Sequence, residues 1–391
     1  MQKKKIIRLT TADISLNFFL KGQLQYLNQY FDIVGVAKDT GCLNEVAERE
    51  GIRVIDAPLE REISLGKDIK GLWFLYKLFR KEKPWCVHAN TPKGSLLAMI
   101  AAKLAGVPSR IYTVTGLRYQ GAQGKLRLIL KTMERITCFC ATKVVPEGQG
   151  VLHALHKDHI TAKLLSVVWN GNINGIDTAY YSKSALDENI DYREQLGYTK
   201  DDFVFVFVGR IVKDKGMNEL AECMKRLGNE SFENGRKPKL LVVGTFEEGD
   251  PVAEETKKYF ENSDDIKMVG WQTDVRPFLA ASDAMVFPSY REGFPNTPLQ
   301  AGAFHVPCIV TNINGSNEII KDGLNGRIIA APLDERGNHV NDITDSLYST
   351  MYWFVSHPAD VARMSKNARP MICERYEQKD VWKALLDIYK D

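Results

Sequence analysis

Short runs of β-branched and aromatic residues alternate along this chain with longer stretches whose apolar positions recur every three or four residues. The first pattern fits strands covered on both faces, and the second fits helices with one apolar stripe. In the first half, strands are expected at residues 6–9, 33–36, 54–56, 87–89 and 111–114, separated by helices at 16–30, 42–50, 67–83 and 96–105. Leu126, Ile129, Leu130, Met133 and Ile136 form a further stripe, which predicts a helix across 125–136. In the second half, strands are expected at 203–208, 239–243, 266–269, 283–287 and 308–311, and the last helix at 381–389. Strand and helix alternating throughout points to an α/β chain of two doubly wound parallel sheets. The glycine- and asparagine-rich stretch 170–177 separates them. The expected units are therefore 1–175 and 176–375, with 376–391 packing back on the first; 391 residues is long enough for two cores.

Two of these strands end in residues that carry chemistry. The run Phe203-Val-Phe-Val-Phe-Val208 stops at Gly209-Arg210, with Lys215-Gly216 following before a helix at 217–224. Gly209 permits a tight turn; Arg offers a planar fork and Lys a mobile point charge, a pairing suited to a diphosphate. The apolar run 284–287 is stopped by Pro288 and leads through Arg291-Glu-Gly-Phe-Pro-Asn296 into a helix. Pro298 suits the first helical position with Asn296 or Thr297 as cap, and the uncapped N–H groups there favour an anion. Glu292 would repel a phosphate but can accept hydrogen bonds from sugar hydroxyls. Taken singly, Glu292 also reads as a solvated loop residue and the two cations as loop caps.

These motifs resemble the retaining glycosyltransferases of family 4, which have the GT-B fold of two facing Rossmann-like domains with a cleft between them. The resemblance extends to Asn170-Gly-Asn-Ile-Asn-Gly-Ile-Asp177, His88-Ala-Asn-Thr-Pro-Lys93, and the late segment 315–318 with Asp322-Gly323 and Asn325-Gly326. It implies a nucleotide-sugar donor, here a UDP-sugar, held by the second domain, and an acceptor glycan, lipid-linked or polysaccharide, presented by the first. On the same resemblance Arg210 and Lys215 contact the diphosphate and Glu292 the donor sugar. Gly209, Gly270, Phe294, Pro295, Asn296, Thr297 and Gln300 complete the donor site; His88, Asn90, Lys93 and Thr115 are acceptor-side candidates. His88 reads equally as a base that orients the acceptor or as a structural hydrogen-bonder. The chain departs from the family in three places: Gln300 stands where a second Glu usually holds the ribose, Thr115 where many members carry His, and Pro295 where some have Gly. Gln keeps one acceptor and loses the charge, and Thr cannot serve as a base near neutral pH. The implied activity is transfer of a hexose or N-acetylhexosamine with retention. A sugar-nucleotide epimerase of the same fold and a non-catalytic nucleotide-sugar sensor are the alternatives.

Composition narrows the setting. Seven scattered cysteines, an odd number without Cys-x-x-Cys, read as a reduced, cytoplasmic chain without a zinc site. The chain contains no Asp-x-Asp clamp, so neither a metal nor another cofactor is expected. The first strand is not followed by Gly-x-Gly-x-x-Gly, which argues against a dehydrogenase. Residues 1–170 carry 26 Lys and Arg against 14 Asp and Glu, while the remainder carries 26 against 35. The basic half places its cations beside the apolar stripes at 67–83 and 125–136. That pattern suits either docking on the anionic inner face of a membrane or core stripes with solvated charges; no nucleic-acid-binding module is present.

Overall fold

The structure, a computed structural model, describes residues 3–390 apart from 61, 63 and 335. The chain divides into two compact units, Met1–Gly175 with Gln378–Asp391, and Ile176–Glu377.

The first unit is built on six parallel strands: β1 (Lys5–Ala12), β2 (Asp32–Lys38), β3 (Arg53–Asp56), β4 (Cys86–Ala89), β5 (Ser109–Val114) and β6 (Lys143–Pro146). Their order is β3-β2-β1-β4-β5-β6, with Arg8 of β1 opposite His88 of β4. The helices are α1 (Asp13–Phe19), α2 (Gln23–Asn28), α3 (Leu43–Glu50), α4 (Leu65–Glu82), α5 (Pro92–Ala105), α6 (Gly124–Cys140) and α7 (Gln149–Lys157). Successive strand residues point to opposite faces, so Ile6 packs with Leu16, Leu24 and Val46, whereas Ile7 and Leu9 pack with Leu75, Leu97 and Leu130. The first face also takes the C-terminal helix Gln378–Ile388 through Leu385, Leu386 and Tyr389. The expected helix at 16–30 is two helices, interrupted at residues 20–22, where the Trp382 ring fills the space a Cβ on Gly22 would need. β6 is not foreshadowed by the sequence pattern, because Lys143-Val-Val-Pro146 offers two apolar residues between a cation and a proline and no recognisable run.

The second unit repeats the plan with β7 (Asp202–Val208), β8 (Lys237–Val243), β9 (Ile266–Met268), β10 (Ala284–Phe287), β11 (Cys308–Thr311) and β12 (Gly326–Ile329), ordered β12-β11-β10-β7-β8-β9. Its helices are α8 (Tyr192–Gln195), α9 (Met217–Leu227), α10 (Glu254–Asn262), α11 (Arg276–Ala280), α12 (Asn296–Ala303), α13 (Ser316–Ile319), α14 (Thr344–Ser356) and α15 (Pro358–Tyr376). Every residue of β7 and β10 is buried, as an all-parallel sheet with helices on both faces requires. In both sheets the strand order reverses beside the first strand, between β1 and β4 and between β7 and β10. Doubly wound folds bind ligands at the carboxyl end of that switch point.

Candidate active site

The loops leaving β7 and β10 meet at the switch point of the second sheet. After β7 the chain turns through Gly209 and Arg210 into a short 3₁₀ turn, Lys213–Lys215, and then α9. After β10, residues 288–295 lead into α12. Backbone contacts fix the two loops together. The Asp214 carbonyl accepts from the Tyr290 N–H at 2.8 Å, and the Asp214 carboxylate takes two hydrogen bonds from the Arg291 guanidinium, at 2.9 and 2.7 Å. Gly216, at φ +70°, lies so close to this loop that a Cβ would stand 2.3 Å from the Pro288 carbonyl oxygen. On the other side a Cβ on Gly315 would stand 2.6 Å from the Phe294 Cα, so the turn after β11 supports residues 293–295.

This framework brings Lys215 and Glu292 into a direct ion pair, with their side chains 15% and 18% exposed. Ser289, almost fully buried, donates to the same carboxylate oxygen at 2.8 Å, and the Lys215 ammonium lies 4.9 Å from the centroid of the Phe287 ring. Cation, carboxylate and aromatic face therefore share one partly exposed spot at the sheet edge. Arg210 stands at the same edge, but its guanidinium is 61% exposed and turned to Glu247 at 2.9 Å in the loop after β8. Of the three charged residues expected to converge, two meet and the third is held by another carboxylate.

Helix α12 opens at Asn296, two residues before the position expected, which puts Pro298 in its first turn, where no intrahelical donor is lost. The residue preceding it is Pro295, which carries no side-chain acceptor, so Asn296 and Thr297 are helical rather than caps. The Thr297 hydroxyl is buried without a partner, and Phe294 packs against the Tyr376 ring at 5.6 Å. Gln300, one turn further on, donates its amide to the Tyr181 hydroxyl at 2.8 Å. Gly270 follows β9, and its carbonyl accepts from the Gly244 N–H at 2.8 Å. Sequence reasoning missed Ser289, Asp214 and Tyr181. Ser289 lies three residues before Glu292 in a Pro-Ser-Tyr-Arg-Glu string, but nothing in the string says its hydroxyl reaches back.

In the first unit the acceptor-side candidates divide. His88 is completely buried, its Nδ1 against the Tyr389 hydroxyl and its Nε2 2.7 Å from the Thr113 hydroxyl. Burial, helped by the Arg8 charge, holds its pKa well below the usual histidine value. Of the two roles open to His88, this burial and these partners fit the structural hydrogen-bonder. Lys93 is buried, in an ion pair with Asp68 at 2.5 Å and bonded to the Glu62 carbonyl. Asn90 is buried, its carbonyl oxygen accepting from Arg8 at 3.0 Å, and Thr115 donates to the Asn90 backbone carbonyl at 2.9 Å. Asp13, unremarked in the sequence, closes β1. Burial opposes its charge, but hydrogen bonds from Thr40, Cys42 and Ile14 outweigh that effect and hold its carboxyl well below the usual carboxylate range. Beside it a cavity of about 450 Å³ opens between Thr11, Lys38, Thr40, Leu59 and Ser64.

Comparison with known proteins agrees with this geometry. Residues 188–347 match the model of glycosyl transferases group 1, and residues 5–146 that of the glycosyl transferase 4-like domain. The chain is 29% identical to the capsular polysaccharide biosynthesis glycosyltransferase CapM of Staphylococcus aureus, covering 100% of this chain and 97% of the relative. It is 31% identical to the UDP-Gal:alpha-D-GlcNAc-diphosphoundecaprenol alpha-1,3-galactosyltransferase of Escherichia coli, over 93% of this chain and 90% of that one. Among solved structures, Anabaena Alr3699/HepE in complex with UDP-glucose superposes with a TM-score of 0.77 at 17% identity, covering 99% of both chains. With two Rossmann-like units and a family signature in each, the chain belongs to the group 1, family 4-like glycosyltransferases of the GT-B fold.

Proposed function

We propose that the protein transfers a hexose or N-acetylhexosamine from a UDP-sugar to a lipid-linked or polysaccharide glycan in capsule or exopolysaccharide synthesis, with retention and without a metal. It would work at the cytoplasmic face of the membrane. The observation that carries the reading is the convergence of Lys215 and Glu292 at the switch point of the second sheet. Support for the substrates comes from the relatives: the E. coli enzyme is named for a UDP-galactose donor and a diphosphoundecaprenol-linked acceptor, and the Anabaena protein was solved with UDP-glucose.

On this reading the donor diphosphate takes the place of Glu292 as partner of Lys215, and the freed carboxylate accepts hydrogen bonds from the sugar hydroxyls. Arg210, held only by exposed Glu247, swings onto the diphosphate, and the first-turn N–H groups of α12 complete its surroundings. As the bond from the sugar to the diphosphate breaks, negative charge grows on the leaving oxygen, and these fixed donors stabilise it more than the ground state. The acceptor hydroxyl attacks from the same face and gives its proton to the departing phosphate oxygen. Gln300, oriented by Tyr181, offers its amide oxygen to the ribose. The cavity beside Asp13 is the acceptor candidate.

The test is donor-dependent transfer or slow donor hydrolysis, followed across a panel of UDP-sugars with and without EDTA. Turnover should be selective for one donor, insensitive to chelator, and reduced about 100-fold or more in Lys215→Ala, the usual cost of removing one such donor. Undiminished turnover in Lys215→Ala, or turnover abolished by EDTA, would refute it.

A further inference from the structure

The outer surface of the first unit's α4–α6 layer has its acidic side chains turned away and its large apolar side chains turned out. Those three helices contain only three carboxylates. Asp68 is engaged by Lys93 at 2.5 Å; Glu82 by Lys5 at 2.8 Å and Arg53 at 2.5 Å; Glu134 is buried against the Tyr112 hydroxyl at 2.7 Å. On the exposed side of α4, Leu65 (80% exposed), Ile69 and Trp73 follow one another at four-residue intervals and make a stripe along the helix. On α6, Leu128, Ile129, Ile136 and Phe139 (71% exposed), at spacings of one, seven and three residues, also fall on one side of the helix, and Leu104 emerges at the end of α5 between them in sequence. These helices cover one face of the sheet with their other sides, so the exposed stripes are surplus to the core.

Cations flank both stripes. Among the described residues Lys70, Lys77, Lys81, Lys103 and Lys125 have no carboxylate partner, and two of them lie over the exposed rings. The Lys77 ammonium is 5.0 Å from the Trp73 centroid, and that of Lys103 is 3.6 Å from the Phe139 centroid. We propose that this three-helix face docks on a bilayer surface bearing anionic lipid, with the Leu65–Ile69–Trp73 and Leu128–Ile129–Ile136–Phe139 stripes entering the headgroup boundary and the lysines meeting the lipid phosphates. Charge complementarity selects the occupant. Each basic residue near such a surface contributes about 1 kcal/mol, whereas lysine is depleted from protein–protein interfaces. Leu and Trp on one side with Lys alongside is the composition of helices that lie in the interface plane. The proposal deepens the reading of a membrane-borne acceptor and names the surface that would bring the enzyme to it.

The test uses the full chain with no donor or acceptor present, so its result is independent of transfer. Cosedimentation is measured with vesicles of phosphatidylcholine alone and of phosphatidylcholine with phosphatidylglycerol. Wild type should bind the anionic vesicles at least tenfold more tightly and lose that preference at high salt. The triple variants Ile69→Ser/Trp73→Ser/Phe139→Ser and Lys70→Glu/Lys77→Glu/Lys81→Glu should each lose binding tenfold or more, with circular dichroism and melting temperature unchanged, since every altered side chain is solvent-exposed. No binding to anionic vesicles, equal binding by both triple variants and wild type, or a concentration-dependent dimer that the same substitutions dissociate would overturn the proposal. If docking fails while UDP-sugar turnover persists, the enzyme assignment stands and this surface does not serve it.

Discussion

Lys215 and Glu292 are paired with each other, and the exchange of partners proposed above makes their individual substitutions unequal. Glu292→Gln leaves the ammonium available for a diphosphate, so nucleotide diphosphate affinity should hold or rise while sugar transfer falls. Lys215→Ala should lower both, and UDP titration beside turnover separates the two outcomes. Away from the site, two buried groups in the first unit give opposite pH signatures. Burial pushes the Glu134 carboxyl up to about 7, with Tyr112 partly countering it. The folded form then holds its proton over a range in which the unfolded chain, titrating at about 4.3, has released it. Stability from this group is full at low pH and declines as pH rises from about 4.3 to 7. Glu134→Gln should therefore remove that decline and raise stability at pH 8 by on the order of 1–3 kcal/mol, measured by urea unfolding across pH. His88 runs the other way: its folded pKa lies below the unfolded value of about 6.5, so its contribution is present above that pH and is lost as pH falls below it. At this scale the sequence is informative where chemistry is local. Glu292 and Lys215 stand out beside glycines and prolines at strand ends. His88 and Lys93 sit in equally suggestive strings, which give no hint of their tertiary partners Tyr389, Thr113 and Asp68.

Elements place these residues through close approaches that a side chain would forbid. Gly216 and Gly323 have similar left-handed backbones, at φ +70° and +74°, but a Cβ on Gly216 would strike the Pro288 carbonyl whereas one on Gly323 would meet open space. Gly323→Ala should cost about 1 kcal/mol, and Gly216→Ala at least twice that with weakened donor binding, because the loop carrying Glu292 has to move. Equal losses in urea unfolding would show that the contact with Pro288 does not hold the loop. Strands with continuous apolar runs, β7 above all, are legible in the amino-acid pattern because burial on both faces leaves no room for polar residues. The four-residue β6 is not, and the expected start of α12 falls two residues late because the segment contains two prolines and only geometry tells which precedes the helix. The split between α1 and α2 is hidden for a related reason, since Trp382, whose ring packs against Gly22 at the break, lies far away in the chain.

Over the whole molecule, both sheets share one strand order, and the C-terminal helix belongs to the first unit although the chain reaches it from the second. Trp382 donates to Asn174 at 2.6 Å, and the Tyr389 hydroxyl accepts from Arg8 at 3.0 Å, so the helix partners a buried cation as well as covering Leu20 and Leu24. Ending the chain after Glu377 should destabilise the first unit by several kcal/mol, chiefly from lost apolar burial and also from the loss of one of the three side-chain partners of Arg8, and leave the second unit's donor affinity intact. Limited proteolysis and UDP titration of the truncated chain check the two halves of that expectation. The division near residue 175 is legible from a cluster of glycines and asparagines, and the uneven charge from simple counting; the outward turn of the α4 and α6 stripes is not, because an amphipathic pattern does not say which side meets the sheet. The central claim is that the edge of β7 and β10 receives a nucleotide sugar through Lys215 and Glu292. Isothermal titration of UDP-sugars into wild type, Lys215→Ala and Glu292→Gln in the presence of EDTA tests it most directly. The account predicts a selective response in wild type, loss of nucleotide affinity in Lys215→Ala, and loss of discrimination among sugars with UDP affinity retained in Glu292→Gln. Identical isotherms for all three proteins would contradict it.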